Sequence, residues 1–226
     1  MKKTEREKCA VLFSGGKDSM LALYKASQEY EIKFLLSILP EQKDSFMFHS
    51  PNEKLLRKQA EMLNFPLIIQ KTKGIEEKEL DDLRKLIEKV KEKVDVIAIG
   101  GLASNYQGKR IKKIVDEAGM KIYAPLWNCS AADLWKEIFE CKFKVIITKI
   151  ASEGIPKEFV GKVLDCDDIA ELVKLSKKYG FRIDFEGGDA ETAVLYMPLF
   201  KKEIKIKFDI ESEDKYRHFL KLKEVS

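Results

Sequence analysis

The chain has 226 residues, 45% of them hydrophobic and 35% charged, and its 42 Lys and Arg against 38 Asp and Glu leave a net charge of +4. That length makes one large domain or two small ones with enough apolar residues to bury a core, which excludes a disordered chain. Charges that nearly cancel carry no polyanion-binding signature and no run reaches the ~18 apolar residues of a membrane span, so a cytoplasmic protein is predicted, with neither membrane association nor stable nucleic-acid binding.

Residues 9–13 are a short apolar run that reads as a buried strand, followed by a helix over about 18–30 in which Leu21, Leu23 and Tyr24 recur near helical spacing. Residues 32–39 read as a second strand. Ser50-Pro51-Asn52-Glu53 predicts the next helix start, with Ser50 as cap, Pro51 in the first helical position and Glu53 reaching back. A third strand covers 66–70. A helix over about 76–93 then places Leu80, Leu83, Leu86, Ile87 and Val90 on one face, and 94–99, apolar apart from Asp95, is a fourth strand. Ser104-Asn105-Tyr106-Gln107 is a second capping box, and its helix stops at Gly119. Beyond it the order changes: a helix at 131–141, a strand at 143–150, a helix at 168–179, strand-like runs at 192–197 and 203–210, and a charged tail from 211. Alternating strands and helices predict a doubly wound parallel α/β domain over residues 1–124, and the rest predicts a smaller α+β domain over 125–226. The four cysteines form no CxxC pair and the chain holds two histidines, so zinc and iron–sulfur sets are excluded and the thiols read as small buried hydrophobes. The 36 Lys, 6 Arg and five Gln give the balance reported for heat-adapted proteins.

Chemistry concentrates after the first strand, in Ser14-Gly15-Gly16-Lys17-Asp18-Ser19. Two glycines let backbone N–H groups approach an anion, the following helix N-terminus adds unpaired donors and partial positive charge, and Ser14, Ser19 and Lys17 add side-chain donors. An ordinary Gly-Gly turn capped by Asp18 or Ser19 explains the glycines but not the lysine. The Walker A spacing is absent. The segment resembles the SGGxDS signature of the PP-loop ATP pyrophosphatases, which implies cleavage of ATP between its α- and β-phosphates and transfer of AMP to a substrate oxygen. Magnesium is expected with the triphosphate, and Asp18 is the nearest carboxylate to place it.

Three further segments narrow the resemblance: residues 44–52 with Gln59-Ala60 and Leu63–Pro66; Gly101 to Arg110, leading to Ala124-Pro125-Leu126-Trp127; and Glu186-Gly187-Gly188-Asp189-Ala190-Glu191-Thr192 with Met197-Pro198-Leu199-Phe200. With the phosphate loop they resemble the diphthine–ammonia ligase (diphthamide synthetase) family, from about residue 11 to 202. The resemblance implies an adenine-nucleotide domain of PP-loop (HUP) type followed by a family-specific domain. It also implies ATP-dependent amidation of the diphthine carboxylate on translation elongation factor 2, with free ammonium as nitrogen donor and homo-oligomerisation left open. Carried over by position, Ser14–Ser19 would hold the phosphates, and Ser37, Met47, Phe48 and His49 would flank the nucleoside. Glu79, Ser104, Tyr106, Gln107, Arg110, Gly187, Gly188, Asp189 and Thr192 would meet the substrate, with Lys17, Asp18, Glu186 and Glu191 as catalytic groups.

Read alone, several of these have plainer explanations. His49 is a polar residue at a helix start, Ser104 and Gln107 are helix caps, Glu79 lies on a solvated helix face, and Glu186–Glu191 is a charged exposed turn. Asp189 stands where the family pattern has Glu, and Ala190 where it has an aromatic, which bears on how the substrate loop packs. A PP-loop enzyme that amidates another carboxylate or modifies tRNA, and a nucleotide-binding module without catalysis, stay open on sequence alone.

Overall fold

The computed structural model describes residues 5–40, 52–73, 76–101 and 105–226, with backbone alone at 76, 77 and 105–107. It divides into two compact units: the chain up to Ser14 with Asp18–Trp127, and Gly15–Lys17 with Asn128–Ser226.

The first unit carries a five-stranded parallel sheet in the order β3-β2-β1-β4-β5, from strands β1 (Lys8–Leu12), β2 (Glu31–Pro40), β3 (Leu67–Thr72), β4 (Val96–Ala98) and β5 (Lys121–Tyr123). Helices α1 (Lys17–Glu29), α2 (Glu53–Leu63), α3 (Glu76–Glu88) and α4 (Asn105–Glu117) make the crossovers. This is the doubly wound arrangement the alternating pattern predicts. The central strands are apolar because both faces are covered: Cys9, Ala10 and Val11 of β1 and Ile97 and Ala98 of β4 are wholly buried. Strand order reverses between β1 and β4, and ligands of such sheets bind outside the carboxyl ends at that point. The phosphate loop leaves β1 there. Gly100 closes the other side, since a Cβ on it would stand 2.5 Å from the backbone of Asp18 and Ser19.

The second unit holds a four-stranded antiparallel sheet in the order β7-β6-β9-β8, from β6 (Lys144–Ile150), β7 (Ala190–Tyr196), β8 (Ile206–Ser212) and β9 (His218–Val225), with helices α5 (Ala131–Glu140) and α6 (Cys166–Tyr179).

Several expectations change. The helix predicted to start at Ser50-Pro51 is capped by Asn52, whose side chain accepts from the Lys54 and Leu55 N–H groups. Glu53 is then too early to reach back, and pairs with Arg57 instead. Ser50 and Pro51 lie outside the described residues. The α6 start moves to Cys166 because Asp165 and Asp168 cap each other's backbone. The tail from 211 contains a strand, not a featureless charged end: Lys223–Asp209, Lys207–Glu224 and Lys221–Glu211 pair across β8 and β9, so its charges pair across the hairpin. Only Cys9 is a fully buried thiol, pushed up to about 12 by burial; Cys129 and Cys166 are exposed. Glu79 is wholly buried, so the solvated-face explanation fails.

Replacing Gly100 by Ala should destabilise the protein by about 1–3 kcal/mol, because backbone must move to admit the methyl group. Gly119→Ala meets no atom within 4 Å and is charged only for its left-handed backbone, about 1 kcal/mol. Chemical denaturation of the two variants checks the order.

Candidate active site

In the first unit the loop flanks fold around one hydroxyl. Ser19 Oγ, nearly buried at the start of α1, accepts from the Ser14 backbone N–H at 3.3 Å and the Ser14 hydroxyl at 3.1 Å. Asp18 is half-buried in the first turn of the same helix, where the dipole favours its charge. Ser37, one residue past the level at which β2 accepts from Phe13, is 2% exposed, and its Oγ has no hydrogen-bond partner among the described residues. A buried hydroxyl left unpaired costs free energy, and a polar ligand atom at the carboxyl end of the sheet would satisfy it. Gly15 adopts φ +77°, the backbone that lets successive N–H groups converge on an anion. The helix start and the orphan hydroxyl are the kind of donors a polar, anionic ligand requires.

The loop tip, Gly15–Lys17, belongs to the second unit and is fastened to β7. Val194 N–H donates to the Gly15 carbonyl at 3.1 Å, and Lys17 N–H donates to Thr192 Oγ1 at 3.2 Å. The Lys17 side chain is buried: its Nζ donates to the Asp184 carbonyl at 2.5 Å and lies 5.9 Å and 5.8 Å from the ring centres of Trp135 and Phe185. A buried ammonium needs such partners, a carbonyl dipole and two electron-rich ring faces.

The segment that seats it is a built turn. Arg182 N–H donates to the Asp189 carboxylate at 2.9 Å, and the Arg182 guanidinium grips Asp184 through Nε at 2.9 Å and Nη2 at 2.5 Å. Asp184 also accepts from Glu186 N–H at 3.0 Å, while Trp135 Nε1 donates to the Ile183 carbonyl at 2.8 Å. Phe185 sits at φ +58°, a conformation worth about 1–2 kcal/mol of strain for a non-glycine, and meets Trp135 edge-on at 5.9 Å. Burial would raise the Asp184 carboxyl, but the Arg182 hydrogen bonds, the Glu186 N–H and the Arg182 and Lys17 charges outweigh it and hold it below the usual carboxylate range. Arg182 is raised in turn, first by its hydrogen bond to Asp184.

Of the predicted site residues, the structure joins Lys17 to Thr192 by a hydrogen bond, while Gly15 is held by Val194 two residues further along β7. Glu186, Gly187, Gly188 and Asp189 belong to the turn beside them. Glu191 is half-buried and paired with Lys149 at 3.4 Å. Asp189 closes the turn, so its carboxylate is committed to backbone. Ala190 is buried at the start of β7, and the aromatic mass beside the turn comes from Phe185 and Trp135. Arg110 is half-buried on α4, and Glu79 is buried on α3. Met47, Phe48, His49 and Ser104 lie outside the described residues, as do the side chains of Tyr106 and Gln107. Arg182, Asp184 and Trp135 escape sequence reasoning because a lone arginine, aspartate and helical tryptophan form no motif. Gly100 was findable, since a glycine at a strand end marks close backbone approach.

Comparison with known proteins adds a family context. Residues 7–122 match the model of the diphthamide synthase N-terminal domain, and residues 130–226 that of the diphthamide synthase C-terminal domain. Proteins named diphthine–ammonia ligase from Mus musculus and Homo sapiens are each 32% identical over 217 residues, spanning 86% of this chain and 81% of their own length. A solved structure described as a predicted subunit of tRNA methyltransferase from Methanocaldococcus jannaschii superposes with a TM-score of 0.46 at 22% identity, covering 87% of this chain and 99% of its own.

Because the Asp184 carboxyl is depressed, its hold on the turn is complete above the ordinary carboxyl value of about 4 and is lost as the pH falls through its lower folded value. In a Trp127→Phe protein, Trp135 emission should therefore be flat from roughly pH 5 to 9 and change only below about pH 4. Asp184→Asn should remove that acid limb.

Proposed function

The chain belongs to the diphthamide synthase family, and on that premise we propose that it is an ATP-dependent ligase that amidates the diphthine carboxylate of translation elongation factor 2 with ammonia. The observation that carries the proposal is Lys17. One residue of the phosphate loop is hydrogen-bonded through its backbone to Thr192 and through its ammonium to Asp184, on either side of the Glu186–Glu191 carboxylates.

The chemistry follows from those groups. A carboxylate oxygen of the acceptor attacks the α-phosphorus of ATP, the bond from that phosphorus to the bridging oxygen breaks, and pyrophosphate leaves. Negative charge grows on the leaving group, where the loop N–H groups and the α1 N-terminus would stabilise it and Lys17 would add its charge. Ammonia then attacks the acyl carbon, the bond to AMP breaks, and the surplus proton passes to a carboxylate. Glu191 suits that role by position: it is half-buried, 3.4 Å from Lys149, and Thr192 beside it is tied to the loop tip. Glu186, whose backbone is fixed by Asp184, is the second candidate.

Among the described residues no group of three or more His, Cys, Asp or Glu could hold a metal ion by itself. Magnesium carried on a triphosphate needs only one or two protein carboxylates, and Asp18 would provide one. Bound there, the ion would neutralise charge on the phosphate oxygens. Ser37 would meet the nucleoside through its unpaired hydroxyl. No helix among the described residues is long and apolar enough to cross a membrane.

Incubating the protein with ATP, ammonium and elongation factor 2 bearing diphthine should convert the modified peptide from acid to amide, with AMP and pyrophosphate formed in equal amounts. Intact peptide, or ADP in place of AMP, would overturn the proposal. Substituting tRNA for the factor should yield no AMP. Lys17→Ala should lower the rate of AMP formation about 10²–10³-fold. Glu191→Gln should keep ATP affinity while slowing amide release about 10²-fold, as a lost proton acceptor would.

A further inference from the structure

The 182–186 turn is built beyond what an exposed loop requires. A surface Arg–Asp pair is held loosely and contributes little to folding, whereas Asp184 is gripped at two points and spends its remaining capacity on the Glu186 N–H. That grip fixes the peptide whose carbonyl receives Lys17. The neighbouring carbonyl of Ile183 is fixed independently by the Trp135 indole N–H, and the same indole ring forms one wall around the ammonium. Phe185 forms another wall from a left-handed backbone that persists because Trp135 and the Asp184 clamp over-determine it.

From this geometry we propose that Arg182, Asp184 and Trp135 are positioning residues for Lys17: they build the seat that sets where its ammonium stands, and they act on the reaction only through it. The proposal rests on the ligase function argued above, because it takes Lys17 to act on the phosphates. Through its own Glu186 contact, Asp184 also ties that seat to the backbone of a candidate proton acceptor. The arrangement explains why an arginine outside every motif is committed to one aspartate, and why a tryptophan of α5 donates to a backbone carbonyl of the turn instead of packing as a plain apolar residue.

A double-mutant cycle tests it in two readouts. The chain has two tryptophans, so in a Trp127→Phe background all tryptophan emission comes from Trp135. Without any nucleotide, Lys17→Met and Arg182→Leu should each alter that emission, and the double variant should match the single ones. In the AMP-forming assay, Arg182→Leu should cost at least about tenfold in kcat and nothing further when Lys17 is already Met, while Arg182→Lys recovers part of the loss. Unchanged Trp135 emission in Arg182→Leu, or losses that multiply in the double variant, would overturn the proposal. If circular dichroism shows Arg182→Leu unfolded, Asp184→Asn takes its place in the cycle with the same expectations. The emission arm is independent of turnover: a wild-type protein that makes no AMP while its emission cycle is non-additive would contradict the ligase function and leave the seat standing.

Discussion

The structure depends on how the phosphate loop is fastened. A glycine-rich loop after a central strand is mobile unless its backbone groups find partners, and here the outer edge of β7 supplies them: Val194 N–H to the Gly15 carbonyl and Thr192 Oγ1 to the Lys17 N–H. β7 is an edge strand of its sheet, with unpaired backbone groups that a protein must cover or use. Using them for the loop tip holds the left-handed Gly15. The Lys17 side chain is buried, and the turn from Arg182 to Asp189 meets its charge with the Asp184 carbonyl.

That turn separates the roles of four carboxylates that lie within eight residues. Asp184 and Asp189 hold backbone, one through the Glu186 N–H and Arg182 guanidinium, the other through the Arg182 N–H. Glu191 faces Lys149 from β7. Residues of similar charge thus differ by which partner each one has, and the departures at Asp189 and Ala190 become intelligible. Asp189 is short enough to close the turn on Arg182 N–H, and Ala190 is buried at the strand start, where the aromatic bulk is already provided by Trp135 and Phe185.

Much of this was legible in the sequence, for reasons that differ by segment. The apolar runs at β1 and β4, the helical face of Leu80, Leu83 and Leu86, and the Ser-Gly-Gly-Lys-Asp-Ser loop carry their meaning locally, so periodicity and turn chemistry suffice to place them. Strand β9 was missed because its charged residues are satisfied by partners on β8, which local composition does not reveal. The α2 start was displaced because Asn52, two residues after Ser50, has the extended backbone of a cap and a side chain that accepts from the Lys54 and Leu55 N–H groups. Lys17 was read as a phosphate ligand from its loop alone. That its ammonium sits on Asp184 between two rings depends on residues more than a hundred positions away, and no spacing rule reaches that far.

In the proposed reaction AMP is transferred to a carboxylate oxygen before ammonia arrives. Oxygen-18 in the acceptor carboxylate tests this step, since one carboxylate oxygen bridges to the α-phosphorus in the adenylate and leaves with AMP when the amide forms. Labelled AMP and unlabelled pyrophosphate are expected, with label in AMP matching amide formed. Unlabelled AMP, or label recovered in inorganic phosphate beside ADP, would contradict it.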